Sequence, residues 1–390
     1  MSSFVDVAFD SLNKNGEELC GDKVDIIKTE DSTIIVLADG LGSGVKANIL
    51  ATLTAKIVGT MLKEGATIYE TVDTIVGTLP VCKVRNIAYS TFTIAIVFND
   101  GRVYIAEYDN PPFFLIRRNK CLEVEKKETI IDGKIVRESN FTLENDDVLI
   151  IVSDGVIHAG VGYILNLGWQ WPHVAAYLEK TVPNEKCAKN VSKDLSETCR
   201  DLYDGRPGDD TTVVAIKFRK SEVIDLFTGP PVNKADDKWV MDKLMDGEGK
   251  KIICGGTTAN IAQREIGKPI KVYMDFIDPE VPPMAYIEGI DLVTEGVLTL
   301  SKTVEKMKIY ADSFSKEVAA YDFTAKDGAS QLGKMLIEEC THINFWVGKA
   351  VNPAHQNPNF PMDLSIKLKI VWELVKVMKK LGKEVKLTYI

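Results

Sequence analysis

The stretch VLADGLGSGVKA (36–47) decides how the first half of the chain is read. Ile34, Ile35, Val36 and Leu37 form an unbroken apolar run, as a buried strand would. Asp39 closes the run, Gly40, Gly42 and Gly44 follow, and a helical pattern begins after them. A single Asp-Gly after a strand is ordinarily a turn. Here the carboxylate also stands where a strand presents its last side chain at the edge of a sheet.

The same setting recurs along the chain. Asp154 follows the apolar run DVLIIV and is itself followed by glycine. Asp209 and Asp210 open DDTTVVAI, and Asp22 in CGDKVDII precedes another apolar run. Asp100-Gly101 and Asp132-Gly133 lie instead in polar loops and read as turns. Asp22, Asp39, Asp154 and Asp209 can therefore converge on one sheet edge, where they repel one another unless cations lie between them. An all-oxygen cluster without His or Cys selects hard ions, Mg²⁺ or Mn²⁺. Two such ions bridged by one carboxylate activate water for attack on a phosphate ester. Gly40, lacking a side chain, leaves its carbonyl free to approach an ion.

Bulk properties narrow the alternatives. The 390 residues suggest two or three domains, and a 45% hydrophobic content supports real cores. A net charge of −9 speaks against general nucleic-acid binding and gives no support for an anionic membrane. No apolar run is read as approaching the roughly 20 residues of a bilayer span. The start, MSSFVDVAFD, lacks the pattern of a signal peptide. Seven scattered cysteines without a CxxC pair fit reduced thiols, so a cytoplasmic protein is expected.

The order of patterns gives an architecture. Strand-like runs come first, then helices at about 45–64 and 67–79 with Pro80 as the stop, then further strands. WPHVAAYLEK and CAKNVSKDLSETCRDLY read as helices, and DDTTVVAIKFR returns to strand. This predicts an α+β domain with an antiparallel core over 1–219. Residues 220–235 read as a linker, carried by the stretch LFTGPPVNKADD (226–237) that runs into the next segment. Over 236–390 strands and helices alternate, which predicts an α/β domain with a mostly parallel sheet. KKIICGG, KVYMDF, INFWVG and EVKLTYI are its strands; TTANIAQREIGK, DGASQLGKMLIEECTH and SIKLKIVWELVKVMKKLGK are its helices. In the last helix, Leu364, Leu368, Val371, Val375 and Met378 form the apolar face.

The series CGD, ADGLGSG, VSDGV and GDDTTVV, in this order, resembles the PPM (protein phosphatase 2C) family of metal-dependent serine/threonine phosphatases, in its SpoIIE/RsbU-type bacterial branch. AEYDNPPFFLIRR resembles a Pro-Pro segment of that branch. The resemblance covers 1–219 and implies a β-sandwich flanked by helices, with two Mn²⁺ or Mg²⁺ ions at one end. It implies that Asp39 bridges the ions, that the Gly40 carbonyl binds one, that Asp154 and Asp209 hold the second, and that Asp22 acts in the metal shell. Asp210 is then a supporting residue. The implied reaction is hydrolysis of phosphoserine or phosphothreonine on a regulatory protein, such as an anti-sigma antagonist of the STAS type. The pattern departs from other members in two places. No arginine precedes Asp22 in NGEELCGD, and Leu41 stands where many relatives carry histidine. His158 is a weak candidate acid. The paired helices after Gly44 resemble a regulatory switch, or are simply a layer on the sandwich. Trp169 and Trp171 read as core aromatics, with a flap as the alternative. A degenerate phosphatase fold serving as a signalling scaffold is the competing function. Pairing into a homodimer is left open.

The second half carries no recognised family. Gly255, Gly256, Thr257 and Thr258 between a strand and a helix could hold an anion or nucleotide, or form only a turn with a threonine cap. Glu295, Asn352, His355 and Gln356 are polar enough to line such a crevice.

Overall fold

The computed structural model describes residues 3–78, 81–82, 87–88, 90–273, 278–312, 323–350 and 366–390. The chain divides into two compact units, Met1–Lys220 and Ser221–Ile390.

The first unit begins with β1 (Ser3–Leu12), β2 (Asp22–Lys28) and β3 (Ser32–Gly40), followed by α1 (Gly44–Lys63) and α2 (Ile68–Thr78). The short pair β4 (Val81–Cys82) and β5 (Ile87–Ala88) precedes β6 (Ser90–Phe98), β7 (Arg102–Tyr108), β8 (Phe114–Arg117), β9 (Lys120–Leu122), β10 (Lys127–Ile131), β11 (Lys134–Thr142) and β12 (Val148–Val152). Then come α3 (Asp154–Ile157), α4 (Trp171–Thr181), α5 (Ala188–Leu202) and β13 (Thr211–Lys220).

These strands form two antiparallel sheets, β1-β13-β12-β8-β9 and β10-β11-β7-β6-β3-β2. The unbroken apolar run of β3 has a direct structural reason. Ile35 and Leu37 point into the core between the sheets with Val97, Ile105, Leu149 and Val214. Ile34, Val36 and Ala38 point the other way, against Ala51, Ala55 and Val58 of α1 and Ile75 of α2. Successive side chains of a strand face opposite sides, so a strand covered on both faces carries no polar alternation. On the far side, β12 and β13 turn Ile150, Val152 and Val213 toward Val174 and Leu178 of α4 and Leu195 of α5. The result is the expected sandwich with helices on both outer faces.

α1 corrects one expectation. At 20 residues it is long and apolar enough, by length and composition alone, to cross a bilayer. In the fold its small residues Ala47, Ala51, Ala55 and Gly59 are buried, where they let the helix lie close to β3.

β1, at a sheet edge and not read as a strand above, carries two inward acids. Asp10 pairs with Lys189 at 2.7 Å and accepts from Ser196 Oγ, both on α5. Asp6 lies 3.5 Å from Arg219 and accepts from the Ala188 amide. Each carboxylate is almost wholly buried and each has charged or hydrogen-bonding partners, as burial requires.

The second unit runs β14 (Val223–Thr228), α6 (Asp236–Asp246), β15 (Lys250–Cys254), α7 (Gly256–Ile266), β16 (Lys271–Val272), β17 (Ala285–Tyr286), β18 (Leu292–Thr294), α8 (Val297–Ala311), α9 (Gly328–Glu338), β19 (His342–Val347), α10 (Ile366–Lys380) and β20 (Glu384–Tyr389). Its sheet has the order β16-β17-β18-β15-β14-β19-β20. The five strands from β18 to β20 are parallel; β16 and β17 add an antiparallel edge. The expected linker over 220–235 is therefore corrected. Its residues Val223–Thr228 are β14, hydrogen-bonded on both sides in the middle of the sheet. Loop-forming Gly229, Pro230 and Pro231 immediately after it had masked the apolar run. EGIDLVTEGVLTL, which shows no clear period of its own, supplies β18 and the start of α8. Pro80, Leu364, Asn352, His355, Gln356 and the end of KVYMDF (274–276) lie outside the described residues.

Candidate metal centre

Register brings the first two acids together: Asp22 on β2 is paired with Asp39 on β3. Asp154 follows β12 and opens α3, while Asp209 and Asp210 lead into β13. β12 and β13 are paired neighbours in the opposite sheet. All five carboxylates thus belong to one end of the sandwich, and they interact electrostatically across it. Burial and the charges of Asp22, Asp154, Asp209 and Asp210 push the Asp39 carboxyl up to about 9. Burial pushes Asp22 up to about 7; Asp210 and Asp154 add to this, and the Ser153 and Thr212 hydroxyls oppose it. Asp154 is raised by burial and by Asp209, against a lowering contribution from His158. Asp210 is raised chiefly by burial.

The glycines beside these acids are required by close backbone approach. A Cβ on Gly40 would stand 2.1 Å from the Ala47 carbonyl oxygen of α1, and one on Gly155 would stand 2.1 Å from the Asp210 carbonyl oxygen. Both distances are far inside van der Waals contact, so Gly40 at the end of β3 and Gly155 in α3 are packing sites. Tyr203, on the turn after α5, donates a 2.8 Å hydrogen bond to the Gly155 carbonyl and anchors the second of them.

The donor set suits hard cations in kind. Both oxygens of Asp22 and Oδ2 of Asp210 are buried without a hydrogen-bond partner. A buried carboxylate in that condition is costly unless a cation or proton reaches it. Asp39, Asp154 and Asp209 are partly exposed. Among the described residues no three His, Cys, Asp or Glu side chains are gathered closely enough to hold an ion as they stand.

Two nearby residues had no signal in the sequence. The Lys14 amide donates to Asp210 Oδ1 at 3.0 Å, and its ammonium lies 3.8 Å from Asp209. Ser153 Oγ accepts from the Thr212 amide at 2.8 Å, tying the entry of α3 to β13. His158 is exposed and caps α3. Trp171 stacks on Phe114 with ring centroids 4.7 Å apart, and Trp169 meets Tyr177 edge-on. Both tryptophans pack into the α4 layer; Val161, Tyr163, Ile164 and Leu167, between α3 and Trp169, are exposed.

In the second unit, half of the glycine-threonine motif is used by the fold. The Gly255 amide donates to the Thr294 carbonyl at 2.9 Å, and Thr258 Oγ1 accepts from the Gly229 amide at 2.9 Å. Gly256 and Thr257 are the members outside these bonds. Glu295 caps α8 by accepting from the Leu298 amide.

Two antiparallel sheets faced by helices, with aspartates gathered at one end, define a phosphatase 2C-like domain. Residues 29–219 match the family model for Stage II sporulation protein E (SpoIIE). Several solved structures are similar to this chain. One is the SpoIIE phosphatase domain from Bacillus subtilis, 21% identical, covering 56% of this chain and 93% of that one, with a TM-score of 0.44. Another contains the RsbU and RsbW domains of a Mycobacterium tuberculosis protein, at 17% identity, 62% and 68% coverage and a TM-score of 0.48. A third is RsbX in complex with magnesium, at 18% identity, 55% and 95% coverage and a TM-score of 0.41. No curated protein matches the sequence.

Proposed function

We propose that the chain is a metal-dependent protein serine/threonine phosphatase acting on a bacterial regulatory phosphoprotein. One observation carries the reading: five aspartates from two sheets lie at one end of a phosphatase-type domain and act on one another electrostatically, burial and the neighbouring acids raising Asp22 and Asp39. Asp39 and the Gly40 carbonyl, with Asp22, Asp154 and Asp209, would hold two Mn²⁺ or Mg²⁺ ions. Such ions, when bound, lower the pKa of water and stabilise the charge of an in-line displacement at phosphorus. The protein's own contribution is placement. β2 and β3 hold Asp22 and Asp39 in register, Gly155 of α3 packs against the Asp210 backbone at the entry of β13, and Asp210 fixes the β1–β2 loop through the Lys14 amide.

The substrate class rests on the SpoIIE kinship of the domain: a phosphoserine or phosphothreonine on a small signalling domain, such as a STAS-type anti-sigma antagonist. The second unit, with its own doubly wound sheet, is read as the regulatory part.

Hydrolysis of p-nitrophenyl phosphate with and without Mn²⁺ tests the reading. The wild-type rate should depend on Mn²⁺, and Asp39→Asn and Asp154→Asn should each lower it by about 100-fold or more, as loss of a charge-stabilising group does. Equal, Mn²⁺-insensitive rates in all three proteins would remove the enzyme assignment and leave the scaffold.

A further inference from the structure

The Asp-Asn-Pro-Pro segment after β7 has been given no structural or chemical role so far. It is the crossing from one sheet to the other, since β7 belongs to the sheet of β3 and β8 to that of β12. Asn110 sits in this crossing and is 7% exposed. Its side-chain amide donates 2.8 Å to Thr93 Oγ1 on β6 and 3.1 Å to the Val152 carbonyl at the end of β12. One NH₂ group therefore joins the two sheets. The placement is close to the aspartates on both sides. Thr93 lies two residues from Thr91, the register partner of Asp39, and Val152 lies two residues before Asp154.

The other end of the same amide is unusual. Asn110 Oδ1 is buried and has no hydrogen-bond partner. A buried orphan acceptor opposes folding, so the residue is poorly explained as a plain filler of the core. Its neighbours hold the crossing from both directions. The Phe113 amide donates to Glu107 Oε1 at 2.9 Å, and Trp171 Nε1 donates to the Pro112 carbonyl at 2.9 Å.

We propose that Asn110 is a positioning residue that sets the separation between the Asp22/Asp39 side and the Asp154/Asp209 side of the site, and thereby its affinity for divalent cations. The proposal rests on the metal-dependent phosphatase reading. Groups that orient ligands from behind typically change metal affinity by about 10- to 100-fold when removed.

Mn²⁺ binding by titration calorimetry on the full chain tests this, with the melting temperature recorded for each variant. Asn110→Leu keeps the approximate shape and deletes both bonds; Thr93→Val deletes one acceptor and leaves Asn110 in place. Tyr177→Phe, which loses hydroxyl bonds to Asp194 and Thr198 away from the aspartates, serves as the stability control. The expected result is Mn²⁺ binding weakened about tenfold or more in Asn110→Leu and in the same direction, by less, in Thr93→Val. Tyr177→Phe should melt earlier and bind Mn²⁺ as the wild type does. Wild-type Mn²⁺ affinity in both Asn110→Leu and Thr93→Val would overturn the positioning role while leaving the phosphatase reading intact. A wild-type protein that binds no Mn²⁺ would overturn both. If Asn110→Leu fails to fold, Thr93→Val decides by the same criterion.

Discussion

Asp22 and Asp39 face each other across β2 and β3, and both carboxyls are held well above the ordinary aspartate value of 3.8. In metal-free protein this has a definite consequence for stability. Between about pH 4 and pH 7 for Asp22, and on to about pH 9 for Asp39, the folded chain keeps a proton that the unfolded chain has released. Folding is then favoured by acid: the contribution is complete below the unfolded value and is lost as pH rises through the folded ones. The slope is of the order of 1 kcal/mol per pH unit while one group differs. Thermal melts in EDTA should show a lower melting temperature at pH 8 than at pH 5.5, with the gap reduced in Asp39→Asn. A melting temperature that rises from pH 5.5 to pH 8 would contradict the burial assigned to this pair.

At the scale of elements, a single hydroxyl joins β14 to α7. Thr258, 1% exposed, accepts from the Gly229 amide. Thr258→Val preserves the shape and strands that amide, which costs about 1–3 kcal/mol for a buried donor. The urea midpoint of the second unit should fall accordingly, while Thr257→Val, at an exposed position, should leave it unchanged. The same motif marks how far residues alone could be read. Strand–glycine–helix was legible in KKIICGGTTAN, because apolar run, flexible turn and amphipathic period are all local signals. Whether the threonines face a ligand or the neighbouring strand was not, since that depends on β14, over 25 residues away. β14 itself went unseen behind its Gly-Pro-Pro exit, and β1 went unseen because Asp6 and Asp10 break its apolar pattern. Their partners lie on α5 and at Arg219, near residue 200. In the first unit the aspartates were legible because each marks the end or entry of an apolar strand. Asn110 was visible only as part of a motif, because its two partners are contributed by different sheets.

At the scale of the whole molecule, the two units have separate cores. A fragment of residues 1–220 should fold alone and keep Mn²⁺-dependent hydrolysis of p-nitrophenyl phosphate. A fragment of 221–390 should also fold, with cooperative urea unfolding. A fragment of 236–390 lacks β14 and should not, because β15 and β19 would each lose their shared partner in the middle of the sheet. Cooperative unfolding of the shorter fragment would show that β14 is dispensable.

The paired acids of β1 bear on how copies of this protein behave when crowded. An edge strand is open to addition by another chain, and inward charges are one protection against that. Sliding β1 by one position would turn Asp6 and Asp10 toward the apolar space between the sheets, away from Lys189 and Arg219. Out-of-register stacking, the first step toward fibrils, is thereby disfavoured at that margin of the sandwich.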